Sequence, residues 1–171
     1  YVSNDWLKAW EGPVKWSLET IDGEVLTSGQ AQVKVAAQAA TLVCTLDFSN
    51  LITYDNQRRL VFVAELWQGD QFISRQTAFF APIKHLSLTD PAITVNMQSQ
   101  NGELIVELTA RTLALLVEIS LVGADVVFSD NYINLPAGRS FQITGLLPDG
   151  WTLSNAQEAM RICSVYDSYA H

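Results

Sequence analysis

Apolar and polar residues alternate with a period of two in short runs along this chain, and turn signals separate the runs. That period marks strands with one buried face. Val14 to Ile21 alternates and closes on Asp22-Gly23, a hairpin dipeptide. Val25 to Ser28 and Gln32 to Val35 follow as two further strands. Ala40 to Phe48 sets Leu42, Cys44, Leu46 and Phe48 on one face. Leu60 to Trp67 is rich in Val, Leu and Phe, and Gly69-Asp70 turns it into Phe72 to Phe80. With Tyr1 to Asn4 counted first, this predicts roughly seven strands over about 80 residues, the spacing of an immunoglobulin-like sandwich.

The pattern breaks between Pro82 and Pro91. Proline removes a ladder donor and biases the residue before it toward extended backbone. A domain boundary is expected near residue 86, giving domains 1–86 and 87–171. Ile83, Leu86 and Leu88 make the connection apolar, so it should be extended and partly packed. The second set runs Ile93 to Gln98, the Asn101-Gly102 hairpin, Leu104 to Leu108, Ala114 to Leu121, Val126 with Phe128, Ser140 to Ile143, and Arg161 to Tyr166. Gln157 to Met160 reads as a helical turn at most. Leu104 to Val117 is apolar enough for a helix, but its β-branched residues and the Asn-Gly turn favour strands. The expected class is all-β, two tandem immunoglobulin-like sandwiches. A (β/α)8 barrel, which takes about 250 residues, does not fit.

Composition narrows the function. The net charge of −8, with no basic cluster, argues against nucleic acid as a partner. No apolar run approaches the roughly 18 residues of a membrane helix. The opening Tyr1 to Trp6 lacks the basic end and apolar block of a secretory signal. Cys44 and Cys163 fall in different predicted domains, so they are expected to be unpaired, buried small hydrophobes, and the compartment leans cytoplasmic.

Candidate chemistry is sparse. Asp125 and Asp130 flank Val126 to Ser129, and turn chemistry explains them better than a catalytic or calcium pair. His85 and His171 are the only histidines. No C-x-x-C or H-x-x-x-H spacing accompanies them, so no metal is expected. His85 reads as a linker residue, and His171, last in the chain, as mobile. No nucleophile elbow, dinucleotide fingerprint or phosphate loop appears, so no cofactor is expected. Trp6, Trp10, Trp16, Trp67 and Trp151 could each offer a face to a sugar ring. Trp16 reads as core. Trp6 and Trp10, beside Gly12-Pro13, could fold back locally or meet another domain. Trp67 and Trp151 sit next to turns and are the better candidates for glycan or interdomain contact.

One segment is more specific. Phe128-Ser129-Asp130-Asn131-Tyr132-Ile133-Asn134-Leu135-Pro136-Ala137-Gly138 resembles the F-S-D-N-Y-F-D-L-x-P-G stretch in the last immunoglobulin-like domain of family 2 glycoside hydrolases of the β-mannosidase type. Phe128, Asp130, Asn131, Tyr132 and Gly138 match in order; Ile133 and Asn134 depart, where that family more often carries Phe and Asp. Weaker likenesses extend over most of the chain: Tyr1 to Asp5, Val14 to Leu18 with Asp22-Gly23 and Gly29, Ala78 to Lys84, and Leu88 to Pro91.

The resemblance implies the C-terminal region of a β-mannosidase-like hydrolase, or of a related exo-acting relative. The catalytic barrel and the N-terminal domains of the parent would then be its partners. A retaining glycosidase needs two carboxyl groups about 5–5.5 Å apart, and the resemblance places that pair in the barrel, not here. Tyr132 is expected to anchor its loop through the hydroxyl or, alternatively, to help shape the cleft. A carbohydrate-binding module and a free-standing interaction sandwich remain as other readings.

Overall fold

The computed structural model describes residues 1–169. His171 lies outside the described residues. Half of the chain is strand and only 9% helical, which makes the class all-β. Contacts divide the chain into two compact units: Tyr1–Thr20 with Glu24–Ser87, and Ile21–Gly23 with the residues from Leu88 onward.

The first unit is built on a four-stranded antiparallel sheet. β1 (Val2–Asn4) stands apart from it; β2 (Trp10–Thr20), β3 (Val25–Val35), β5 (Leu60–Gln68) and β6 (Gln71–Phe79) form it in the order β3-β2-β5-β6. The sequence pattern split β3 into two strands at Gly29-Gln30; the structure runs one strand through both. Glycine there serves close approach, because it faces Trp16 across the ladder. β4 (Ala39–Thr41) pairs with β1 to make a second, two-stranded sheet. Trp10, Val14, Val33 and Val35 are buried together between them, with Val2, Ala39, Val43 and Leu66 packed around.

The expected strand from Ala40 to Phe48 stops at Thr41. Residues 42 to 48 continue without turn or bend but make no ladder, and Leu42 is 52% exposed. Alternation alone does not make a strand; the backbone donors and acceptors also need a partner. After the stretch, Ser49 donates its amide to Asp47 Oδ1 at 2.8 Å. The Ser49 amide, and then its hydroxyl, hold the Asp47 carboxyl below the usual carboxylate range.

The second unit is a sandwich of two three-stranded sheets. β7 (Thr94–Gln100), β8 (Glu103–Thr109) and β11 (Ser140–Leu146) form one, ordered β11-β8-β7. β9 (Ala114–Leu121), β10 (Ile133–Leu135) and β12 (Met160–Cys163) form the other, ordered β10-β9-β12. The Asn101-Gly102 turn joins β7 to β8 with both residues at positive φ, 52° and 80°, as the tight hairpin requires. Leu104, Val106, Leu108, Val117, Ile119, Leu135 and Ile143 meet in the core at 0–1% exposure. The apolar run from Leu104 to Val117 is therefore two strands and a bend, not a helix.

Two readings of this unit, and one that concerns both units, need correction. The helical turn expected at Gln157 is a helix, α1 (Leu153–Ala159), beginning four residues earlier. Thr152 and Asn155 cap it reciprocally, and Ala156 is fully buried against the sandwich core. β12 ends at Cys163 rather than Tyr166, where Asp167 takes the Ser164 amide at 2.6 Å and closes a turn. The cysteines were expected to be buried; both thiols are exposed.

Candidate functional site

The signature segment is a crossing between the two sheets of the second unit. It begins beside β11. Phe128 bridges Gly145, whose missing Cβ leaves room for the ring: a Cβ there would lie 2.9 Å from Phe128 Cδ1. Ser129 donates its amide to Thr144 O at 2.7 Å, and its Oγ accepts the Thr144 amide at 2.9 Å. The segment ends on the opposite sheet, where β10 pairs with β9 through Ile133 and Leu135.

Asn131 makes the transfer. Its Oδ1 accepts the Ile119 amide at 2.9 Å, and its Nδ2 donates to Ile119 O at 3.0 Å. One side-chain amide thus satisfies both main-chain groups of a β9 residue that has no strand partner on that side. Asp130 accepts the Asn131 amide at 2.8 Å and shapes the approach. Asn134 then accepts the Leu116 amide at 3.1 Å, where β9 bulges and Leu116 takes a left-handed φ of 48°. Ile133 is 7% exposed in the core. At the two positions that depart from the resembled motif, the structure still finds a buried apolar side chain and a side-chain acceptor. Gly138, at φ 69°, turns the chain toward β11 and donates its amide to Ala110 O at 2.8 Å.

Tyr132 is 60% exposed with a left-handed φ of 56°. The loop is anchored on β9 through the Asn131 side chain. A side chain that imitates a strand partner leaves no trace in hydrophobic periodicity.

Trp67, the leading glycan candidate, sits in a polar cluster on the first unit's sheet. Lys15 Nζ lies 4.5 Å over its ring, and Phe72 meets it edge-on at 5.6 Å between centroids. Its indole N–H donates to Glu65 Oε2 at 3.3 Å, while Glu65 Oε1 accepts from Arg75 Nε at 2.7 Å. The Arg75 side chain is only 8% exposed, and its Nη1 is buried without a hydrogen-bond partner. The cation over one face and the aromatic at the edge hold the ring in place. Composition gave no hint of the Glu65–Arg75 pair, because cross-strand register brings the two together.

Trp151 is half-buried and packs against the second unit's core. A shallow cavity beside it is lined by Val122, Asn155, Glu158 and Arg161. Trp10 is 5% exposed and core; Trp6 is 57% exposed; Trp16 packs with Phe48 and Phe62 at 5.9 and 6.5 Å. Asp125 and Asp130 are both exposed, with Asp130 engaged by Asn131. His85 is exposed on a 3-10 turn, its carbonyl taking the Arg58 Nε–H. Among the described residues no three His, Cys, Asp or Glu side chains converge as a metal site would require, and no helix is long and apolar enough to cross a membrane.

Strand content, two units and a sheet-crossing segment define a class: tandem β-sandwich domains whose motif residues hold backbone. Comparison with known proteins makes the assignment narrower. Residues 1–85 match the mannosidase Ig/CBM-like domain, and residues 88–168 match the Ig-fold domain of the mannosidase type. The chain thus belongs, across nearly its whole length, to the immunoglobulin-like domain families of mannosidases. Among solved structures, a β-D-mannosidase from Dictyoglomus thermophilum shares the fold, with a TM-score of 0.82 at 16% identity over 93% of this chain. The chain spans 19% of that protein's length. Among curated proteins none is similar enough in sequence to count as a match.

Proposed function

We propose that this chain is the non-catalytic C-terminal region of a β-mannosidase-like glycoside hydrolase, whose full-length form removes terminal β-mannosyl residues. Its work is structural: it braces the parent's catalytic barrel, and the barrel and N-terminal domains are its partners. The observation that carries this reading is the order of the two mannosidase domain types along one chain, 1–85 and then 88–168. The signature supports it, since Ser129, Asp130, Asn131 and Asn134 hold main-chain amides of their own unit.

The test has two arms. The purified chain should not hydrolyse an aryl β-mannoside. The parent enzyme truncated just before Tyr1 should lose thermal stability and activity relative to the intact enzyme. Turnover by the isolated chain would refute the non-catalytic reading. Full stability and activity in the truncated enzyme would refute the bracing role.

A further inference from the structure

A small pocket in the first unit holds a stranded donor. Trp10 is 5% exposed, and its indole N–H is buried with no hydrogen-bond partner. A buried indole N–H ordinarily finds an acceptor, because leaving it without one is costly. Trp10 lines a pocket of about 190 Å³, which residues 2–6 enclose together with Leu66, Ile73 and Ser74. Trp6 is the second aromatic in the lining, and Ser3, Asp5 and Ser74 stand exposed in it.

The Trp6 ring reaches into water, yet its backbone is fixed on both sides. Its amide donates to Asn4 Oδ1 at 3.1 Å, and its carbonyl accepts the Gln38 amide at 3.1 Å. Asn4 is itself buried, with Nδ2 donating to Lys8 O at 2.8 Å and to Ala36 O at 3.0 Å. Gln38 takes a left-handed φ of 52° at this junction. A ring exposed to 57% is thus carried on a loop that is already ordered, and binding against it requires little further ordering.

The lining selects among small ligands. The Trp10 indole N–H only donates, and the Asp5 carboxylate only accepts. An anion would answer Trp10 and be repelled by Asp5, in a chain whose net charge is −8. A cation would answer Asp5 and leave Trp10 stranded. A hydroxyl both donates and accepts, so a neutral molecule with several hydroxyls serves both, and Ser3 and Ser74 as well. The Trp6 ring calls for an apolar face on the same molecule. A volume of about 190 Å³ falls below the roughly 300–1,000 Å³ of sites for drug-sized ligands, which limits the occupant to one small ring.

We propose that this pocket binds a single pyranose ring, free or at the end of a glycan. One sugar oxygen accepts the Trp10 N–H, the hydroxyls meet Asp5, Ser3 and Ser74, and the C–H face lies against Trp6. The site goes beyond the bracing role and does not depend on it, because every residue that lines it belongs to the first unit.

The experiment titrates methyl β-D-glucopyranoside, methyl β-D-mannopyranoside and mannohexaose into the isotope-labelled chain and follows the tryptophan indole N–H resonances by NMR. The expected result is a saturable shift at Trp6 and Trp10 with at least one of the three, and slowed exchange of the Trp10 N–H. Saturation by a methyl glycoside identifies a free ring as sufficient ligand; saturation by mannohexaose alone identifies the end of a chain; either supports the site. Trp6→Ala should weaken binding by about tenfold or more. Trp10→Phe keeps an aromatic ring and removes the donor, and should weaken binding too; if that core variant fails to fold, the exposed Trp6→Ala and Asp5→Ala decide. No saturable shift with any of the three ligands would overturn the proposal, as would affinity undiminished in Trp6→Ala. A shift with tetramethylammonium chloride and none with the sugars would overturn it in favour of a cation held by Asp5 and Trp6.

Discussion

Gly29 lies flat against the indole of Trp16. The two are cross-strand partners on β3 and β2, and a Cβ at Gly29 would stand 2.5 Å from Trp16 Cζ2 and 2.8 Å from Cε2. The ring fills the volume that a side chain at position 29 would occupy. Gly29→Ala forces the indole to move, and Phe48 and Phe62 rest on that ring. Overpacking of this kind costs about 1–3 kcal/mol. Urea unfolding should show that loss, with a shift in tryptophan emission. Gly69→Ala is the contrasting variant: nothing lies within 4 Å of its Cβ position, so its cost is backbone strain at φ 60° alone and the emission should not shift.

The clamp of Asn131 on Ile119 makes a sharper prediction about the signature. Asn131→Ala leaves both main-chain groups of Ile119 without their partner in a part-buried place. An unsatisfied buried group costs about 1–3 kcal/mol. Asn131→Asp keeps an acceptor for the Ile119 amide but sets a second acceptor against Ile119 O. It should be destabilised at least as much as Asn131→Ala at neutral pH. Thermal denaturation of both variants decides the matter: an unchanged midpoint in either one means the clamp does not hold the crossing.

How much of this was legible follows from what each element depends on. The hairpins at Asp22-Gly23, Gly69-Asp70 and Asn101-Gly102 are set by local backbone chemistry, so dipeptides announce them. β8 and β9 are set by period-two burial, so alternation announces them. Residues 42 to 48 alternate equally well, yet their state is decided by a partner strand, which no local pattern contains. α1 was misplaced because its start depends on the Thr152–Asn155 cap, with asparagine where Glu or Gln is the usual signal. β10, only three residues long, is held by Asn131 and Asn134 on its flank and within it, and polar residues there read as loop. The surroundings of Trp67 were hidden for the same reason: Lys15 and Phe72 reach it only through cross-strand register.

Leu116 tests the backbone strain of the β9 bulge. It sits in the β9 bulge at φ 48° with its side chain 44% exposed. A β-carbon in left-handed backbone costs on the order of 1 kcal/mol. Leu116→Gly relieves that cost, while the amide still donates to Asn134 Oδ1. Glycine also frees the unfolded chain, which offsets about 0.4–1 kcal/mol of that relief, so the expected outcome is a midpoint close to that of the wild type. Leu116→Val should be less stable than either, since a β-branched residue tolerates this backbone worst. If the glycine variant proves clearly weaker, the Leu116 side chain contributes more by packing than its exposure suggests.

Asp47 supplies a pH test of the turn after residue 48. Because the Ser49 amide and hydroxyl hold its folded-state carboxyl below the usual carboxylate range, the ionised form favours the folded chain. That contribution is present above the unfolded-state value and disappears as pH falls through the folded one. Asp47→Asn should therefore lower stability at neutral pH and make little difference in strong acid. A titration of Asp47 followed by NMR, with a midpoint no lower than that of the same residue in the unfolded chain, would contradict the assignment.

The Glu65–Arg75 pair carries the most consequential prediction. Both side chains are largely withdrawn from water, at 14% and 8% exposure, and they meet at 2.7 Å across the β5–β6 ladder. Arg75 also stacks on Phe72 at 4.9 Å, and Glu65 accepts the Trp67 N–H. Removing the acid leaves a guanidinium with no opposing charge in a place that already strands its Nη1. Breaking a buried pair in this way costs about 3–5 kcal/mol. Replacing both partners with apolar groups of similar size removes the stranded charge together with its counterion, and is often close to neutral. The order of stability should therefore be wild type and Glu65→Leu/Arg75→Met together at the top, with Glu65→Leu alone far below. Trp67 emission should shift in both variants, since its N–H loses the acceptor in each. Chemical denaturation of the double-mutant cycle measures the coupling directly. Additive losses would show that the two side chains act independently, and that the Trp67 ring is held in place by Lys15 and Phe72 alone.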